Sequence, residues 1–359
     1  MENSCCAYLS SQSLRGDCLS QADALRVLNG ADGVDALVEA AFKVRETYFG
    51  REVTVHILNN VQNGLCPEDC RYCAQSASSR APIAEYPMKT DAEIMEEARA
   101  AHENGAMRYC MVFSGPGPSD DRIEHLCRLI REIKSKYRIE VCVSPGVITR
   151  GQAGRLKEAG LDRLNHNINT SIRHYQKICT THSIEDRLNT LKAAKEAGLA
   201  VCSGVIVGMG ESPEDVVAMA MTLRSLSVES IPVNFFMPLD GVAIREASGL
   251  TPEYCLRVLC LFRLLNPKAE IRMAAGREMH LRELEPLGLR VANSLFLQGY
   301  LNARGSSNAR TLQMIKDAGF TIKSEIPLET LLAMEHHLHP GDGGGLKGLE
   351  ELRPFRGSK

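Results

Sequence analysis

The chain lacks any stretch of about 18 apolar residues, so no transmembrane helix is expected. It also lacks an excess of either charge. Lys and Arg total 42 against 44 Asp and Glu, and a net charge of −2 gives no electrostatic case for nucleic acid or an anionic membrane. The opening residues, Met1 to Cys6, lack a basic segment followed by an apolar one and do not read as a signal peptide. No internal repeat at solenoid spacing occurs. Cysteine, by contrast, is plentiful. Thirteen cysteines in a chain expected to be cytoplasmic argue for reduced thiols and metal ligation over a disulfide framework. Hydrophobic residues make up 44% of the 359, enough for a sizeable core.

Short β-rich apolar runs alternate with amphipathic stretches along most of the chain. Strands are expected at Thr54–Leu58, Arg108–Phe113, Glu140–Val143, Arg163–His166, Ala200–Val207, Ser230–Phe235, Glu270–Ala274 and Ser294–Phe296. Helices are expected at Asp91–Asn104, Asp121–Lys136, Arg150–Ala159, Ile184–Ala197, Pro213–Leu226 and Pro252–Leu265. Gly105, Gly160 and Gly198 stand where left-handed C-terminal caps belong. Eight strands alternating with helices imply a parallel sheet with right-handed crossovers. The simplest such α/β architecture is a closed (β/α)8 TIM-type barrel over residues 51–325, with an open doubly wound sheet as the alternative. Residues 1–50 read as an N-terminal helical extension with pieces at Ser20–Asn29 and Gly33–Gly50; its Cys5, Cys6 and Cys18 read as exposed or packed thiols. Residues 326–359 form a C-terminal segment. It is expected to be loose after about His339, where Gly341, Gly343, Gly344 and Gly345 fall among few apolar residues. His336, His337 and His339 read there as a solvated helix end in preference to a metal site.

Just after the first strand, Cys66, Cys70 and Cys73 stand at CxxxCxxC spacing. Three thiolates on one loop can hold three corners of a 4Fe-4S cube and leave one iron open to a cofactor. A structural zinc site would need a fourth ligand in a second knuckle, and none follows at the usual distance. Zinc or plain thiols remain the alternatives. With Tyr72 directly before the last cysteine, the loop resembles that of the radical S-adenosylmethionine (SAM) enzymes. Three further cysteines, Cys110, Cys142 and Cys202, and one arginine, Arg272, each fall within a different expected strand. Inward side chains from several strands of a barrel converge on its axis, so these four can meet in one chamber. Any one such cysteine alone would read as a small buried hydrophobe, as Cys127, Cys179, Cys255 and Cys260 do on helices or loops.

Together these features resemble the biotin synthase family, and the resemblance covers about residues 55–325. Its residues are the loop Cys66–Cys73, Asn165-His166-Asn167, Val201-Cys202-Ser203-Gly204, the run Gly204–Glu211 and Arg272–Glu278. The resemblance implies insertion of sulfur into dethiobiotin to form biotin, the last step of biotin biosynthesis. It further implies that Cys66, Cys70 and Cys73 bind a 4Fe-4S cluster that cleaves SAM. Cys110, Cys142, Cys202 and Arg272 would bind a sulfur-donating 2Fe-2S cluster flanked by Arg108. Arg187 would meet the SAM carboxylate; Tyr72, Asn167, Asn169, Gly208 and Glu211 would contact SAM, and Asn167 and Asn234 the substrate's ureido ring. An electron donor of the flavodoxin or ferredoxin type and a homodimer are expected. Two departures stand out. Asn169 replaces a frequent Asp, and Asn302-Ala303 replaces two threonines near the substrate's carboxylate, where Arg304 is expected to act instead. A methylornithine synthase, a hydrogenase maturase or a non-catalytic iron–sulfur carrier are the alternatives.

Overall fold

The computed structural model describes residues 2–334, with side chains from Cys5 onward. The tail expected to be loose, including His336, His337 and His339, lies outside the described residues. Among the described residues ten strands form: β1 Glu52–Asn60, β2 Arg108–Val112, β3 Glu140–Ser144, β4 Arg163–Asn165, β5 Ala200–Cys202, β6 Val205–Val207, β7 Ser230–Phe235, β8 Glu270–Met273, β9 Ser294–Leu297 and β10 Thr321–Ile322. All pair in parallel, and β9 returns to pair with β1, closing an eight-stave barrel in which β5 and β6 share one stave. The closed barrel, not the open sheet, is therefore the fold.

Alternation along the strands sorts their side chains into two layers. Tyr109, Met111, Val141, Val143, Val201 and Ile231 join the apolar layer between staves and helices, all fully buried. The intervening residues Cys110, Cys142, Cys202, Ser230 and Arg272 face the axis; the three cysteines are at most 5% exposed yet stand outside that apolar cluster. Cys127, Cys255 and Cys260 do belong to it, as expected of packed thiols.

The surrounding helices include Asp91–Glu103, Asp120–Lys136, Arg150–Glu158, Ile184–Glu196, Pro213–Ser225 and Pro252–Leu265. Reciprocal capping boxes start four of them, at Thr90, Thr149, Ser183 and Ser212. Gly105, Gly160 and Gly198 end three of them at φ of 73°, 94° and 76°, the left-handed geometry expected. The N-terminal extension contains three helices, Glu2–Arg15, Gln21–Leu28 and Val34–Phe49, of which the first was not expected. They dock on Pro252–Leu265, where Arg257 donates to Val27 O and Asp32 O at 3.2 and 2.6 Å. Cys6 packs in their core, Cys5 is half-buried and Cys18 is exposed. A short helix at Leu328–Ala333 buries Leu328 and Leu331, so the start of the C-terminal segment is docked.

Candidate active site

β1 ends at Asn60, and the CxxxCxxC loop follows over the upper, C-terminal mouth of the barrel, where active sites of this architecture lie. Cys66, Cys70 and Cys73 line a cavity of about 400 Å³ together with Cys110, Cys142, Cys202 and Arg272. The strand residues lie deeper. Cys110 is in register with Leu58, two residues before β1 ends, and with Cys142. Among the described residues, three donor atoms come within single-ion reach only at Cys70, Cys179 and His182. The sulfurs of Cys66, Cys70 and Cys73 are therefore too far apart for one zinc ion. That spread suits a cluster, in which each thiolate serves a different iron.

Beneath the strand cysteines lies a charged floor. Arg272 Nε donates to Ser294 Oγ at 2.9 Å and Nη2 to Ser230 Oγ at 3.0 Å, while Nη1 reaches Cys202 Sγ at 3.8 Å. Nη2 also pairs with Glu270, whose other oxygen faces Arg108 at 3.4 Å and Arg163 at 3.5 Å. Arg108 Nε donates in turn to Glu140 at 2.9 Å. Burial pushes the Glu270 carboxyl up, but the Arg108 and Arg272 charges and a hydrogen bond from His56 outweigh it and hold it well below the carboxylate range. Burial and the two guanidinium groups keep His56 neutral. Its Nε2–H can then donate to Glu270 at 3.1 Å while Nδ1 accepts from Arg108 at 3.1 Å. A hydrogen bond from Cys142 pulls the Cys110 thiol well below the cysteine range against burial, with His56 and Arg272 adding to it. The same bond, with burial, pushes Cys142 up.

The upper wall holds the residues expected to meet SAM. Arg187 projects from Ile184–Glu196; its Nη1 donates to Asn167 O at 2.9 Å and its Nε binds Tyr175 Oη. Asn169 sits at φ 65°, a left-handed conformation that asparagine tolerates, and its amide donates to Tyr72 Oη at 2.5 Å. The Asn167 side chain accepts from Gly204 N at 2.8 Å, where the β5–β6 stave breaks. Asn234 bridges two staves, donating to Val205 O at 2.9 Å and accepting from Ala275 N at 3.1 Å. Arg108, Tyr72, Asn167, Asn169, Arg187 and Asn234 all line the cavity.

Three expected residues do not line it. Glu211 turns its carboxylate back onto the backbone N–H groups of Gly208 and Met209, at 2.6 and 2.9 Å, so Gly208 and Glu211 shape the loop from outside the cavity. Arg304 is exposed and its neighbours Asn302 and Ala303 line the cavity in its place. Asn302 is fixed by a reciprocal amide pair with Asn63, at 3.0 and 3.2 Å. Sequence reasoning also missed residues. Glu270 and His56 carried only the signal of strand parity with Arg272 and Leu58. Cys179 packs in the apolar core as read, but it also meets Cys70 Sγ at 3.7 Å.

Residues 61–223 match the Radical SAM superfamily, and residues 232–321 the Biotin and Thiamin Synthesis associated domain. Over 287 residues, 80% of this chain and 89% of the relative, the sequence is 56% identical to a biotin synthase of Magnetococcus marinus. The chain belongs to the biotin synthase family. A biotin synthase of Acaryochloris marina is 54% identical over 86% of this chain and 89% of its own. Solved structures share the fold at much lower identity. A methylornithine synthase superposes with a TM-score of 0.74 at 21% identity, covering 87% of this chain and 96% of its own. An FeFe-hydrogenase maturase from Carboxydothermus hydrogenoformans gives 0.74 at 20%, covering 91% and 81%. Those two activities, the alternatives on sequence grounds, are thus likenesses of fold alone. As a member of the biotin synthase family the chain is a sulfurtransferase that uses SAM and a 4Fe-4S cluster, with dethiobiotin as substrate. Among the described residues no helix is long and apolar enough to cross a membrane.

Proposed function

We propose that this chain carries out its family's reaction with two clusters in one cavity, the first on Cys66, Cys70 and Cys73 and the second on Cys110, Cys142, Cys202 and Arg272. The observation that carries the proposal is that both sets line one cavity of about 400 Å³, within the range that holds a small-molecule substrate. When bound, the first cluster with SAM supplies one-electron cleavage and hydrogen-atom abstraction, and the second supplies sulfide.

The protein's own groups bind, orient and exclude water. The C–H bonds of dethiobiotin that are replaced are not acidic, so no general base is required of the chain. Arg187, whose guanidinium stays protonated and donates to Tyr175 Oη and Asn167 O, offers a counter-charge to the SAM carboxylate. Tyr72, Asn167 and Asn169 set the polar wall beside it. Leu58, Val112, Ile206 and Phe296 supply apolar wall for the saturated substrate, whose ureido ring falls to Asn167 and Asn234. Asn302 replaces Arg304 at the substrate's tail. Arg272 and Arg108 offset the negative charge that three thiolates and sulfide bring to the chamber. A flavodoxin- or ferredoxin-type donor, a homodimer and a cytoplasmic site complete this reading and rest on family resemblance.

Iron and sulfide counting after anaerobic reconstitution tests it. The wild-type chain should take up six irons per chain when fully loaded, that is, about four in a 4Fe-4S cluster and two in a 2Fe-2S cluster. Cys66→Ala, Cys70→Ala or Cys73→Ala should lose the larger share and all reductive SAM cleavage, while keeping 2Fe-2S absorption. Cys202→Ala should lose the smaller share and still make 5′-deoxyadenosine. Loss of all iron in Cys202→Ala, or biotin formation at the wild-type rate, would reject the two-cluster assignment.

A further inference from the structure

Cys179 and His182 have no part in the roles given above. Both lie between the short turn Tyr175–Lys177 and the helix Ile184–Glu196 that carries Arg187. The fold brings them onto Cys70. Cys70 Sγ lies 3.7 Å from Cys179 Sγ and 3.5 Å from His182 Nε2, and Cys179 Sγ lies 3.4 Å from the same nitrogen. A tetrahedral ion with metal–sulfur bonds of about 2.3 Å and metal–nitrogen bonds of about 2.0–2.1 Å needs S···S near about 3.8 Å and S···N near about 3.6 Å. The observed spacings match a single ion and are too short for neighbouring corners of a cubane.

The surroundings orient the same three groups. His182 Nδ1 faces Tyr175 Oη at 2.9 Å, which leaves Nε2 as the ring nitrogen nearer both sulfurs, with Cys179 Sγ also 3.6 Å from Nδ1. Asp69 Oδ1 backs Cys179 Sγ at 3.3 Å and accepts from the N–H groups of Thr180 and Thr181 at 2.9 and 3.2 Å. This pins the loop to the residue beside Cys70. Glu68 Oε2 stands 3.9 Å from His182 Nε2, and it is buried with no hydrogen-bond partner. One opposing charge is present: Arg187 Nη2 lies 3.2 Å from His182 Nε2. Two thiolates and a carboxylate outweigh it.

We propose that, in the chain without its first cluster, Cys70, Cys179 and His182 bind one thiophilic divalent cation such as Zn²⁺, with solvent as the fourth ligand. Because Cys70 is common to both, the ion and the 4Fe-4S cluster exclude each other. This exclusion rests on the cluster reading of Cys70; the ion site does not.

Co²⁺ is the probe, titrated anaerobically into the cluster-free full-length chain. In a Cys66→Ser/Cys73→Ser background, one equivalent should bind with tetrahedral visible bands and thiolate charge-transfer absorption. Adding Cys179→Ser or His182→Gln should abolish that equivalent or weaken it at least tenfold. Circular dichroism of each variant establishes folding, and either substitution suffices if the other misfolds. Unchanged Co²⁺ binding on adding both substitutions would overturn the site, as would loss of the equivalent in the Cys66→Ser/Cys73→Ser background itself. In a second arm, one equivalent of Zn²⁺ added before iron and sulfide should suppress formation of the first cluster in wild type but not in Cys179→Ser. Equal iron uptake with and without Zn²⁺ would refute the exclusion. Failure to form any 4Fe-4S cluster without Zn²⁺ would instead reject the cluster reading.

Discussion

Arg272 commits each of its guanidinium nitrogens inside the barrel, to Ser294, Cys202, Ser230 and Glu270. A lysine keeps the charge but has a single nitrogen in place of the planar fork. In the cluster-free chain Arg272→Lys should cost about 1–3 kcal/mol, the range for leaving buried partners unsatisfied. Glu270 stands differently, since Arg108, Arg163 and Arg272 all face its carboxylate. Glu270→Gln leaves three cations without their shared anion and should cost more, about 3–5 kcal/mol. Urea unfolding of the two variants beside wild type measures both. A smaller loss for Glu270→Gln than for Arg272→Lys would mean that the floor is held by hydrogen bonds and not by charge. Such a ranking was out of reach from sequence. The strand cysteines and Arg272 were legible because the four together match the family's pattern, whereas Glu270 and His56 look like ordinary strand residues until the register is known.

At the scale of elements, all eight staves were legible, because apolar runs capped by glycine-ended helices carry a strong signal. The features that were missed are short or irregular. β10 has two residues, too few for any periodicity. The stave read as Ala200–Val207 breaks at Ser203-Gly204, and the break is where Asn167 and Asn169 reach in to bond Gly204 N and O at 2.8 and 3.1 Å. Cys179 went unrecognised because Cys70 is 109 residues away in the chain, a distance only the tertiary fold closes. The break also shows why residue 204 is glycine. A Cβ there would stand 2.2 Å from Pro232 O, a backbone atom that cannot step aside. Gly204→Ala should therefore displace β6 from β7 and destabilise the chain by about 1–3 kcal/mol, the cost of overpacking a filled site. Thermal unfolding of the cluster-free variant reads this directly. An unchanged midpoint would show that the two staves can separate locally without loss, and that Asn167 is not fixed by this contact.

For the whole molecule, the two family matches meet between residues 223 and 232, a boundary that invites division of the chain into two domains. The hydrogen bonding argues otherwise. The boundary falls between the helix Pro213–Ser225 and β7, yet β6 pairs with β7 and β1 pairs with β9. Cutting there opens the barrel along two seams at once and exposes the unpaired edges of β1 and of β5–β6, which invite aggregation. It also removes Glu270 and Arg272 from the floor, leaving Arg108, Arg163 and His56 facing an open interior with Glu140 as the remaining carboxylate. A fragment of residues 1–226 should accordingly be unfolded or aggregated, with none of the far-UV circular dichroism expected of its helices in a packed state. The full cluster-free chain should lose secondary structure and the protection of Cys127, Cys255 and Cys260 in the same urea range, since these thiols lie in the apolar layer and become accessible only when staves and helices part. Two separate transitions, or a soluble fragment with cooperative melting, would show that the first five staves stand without the rest. The barrel would then be assembled from two folding units despite its closed sheet.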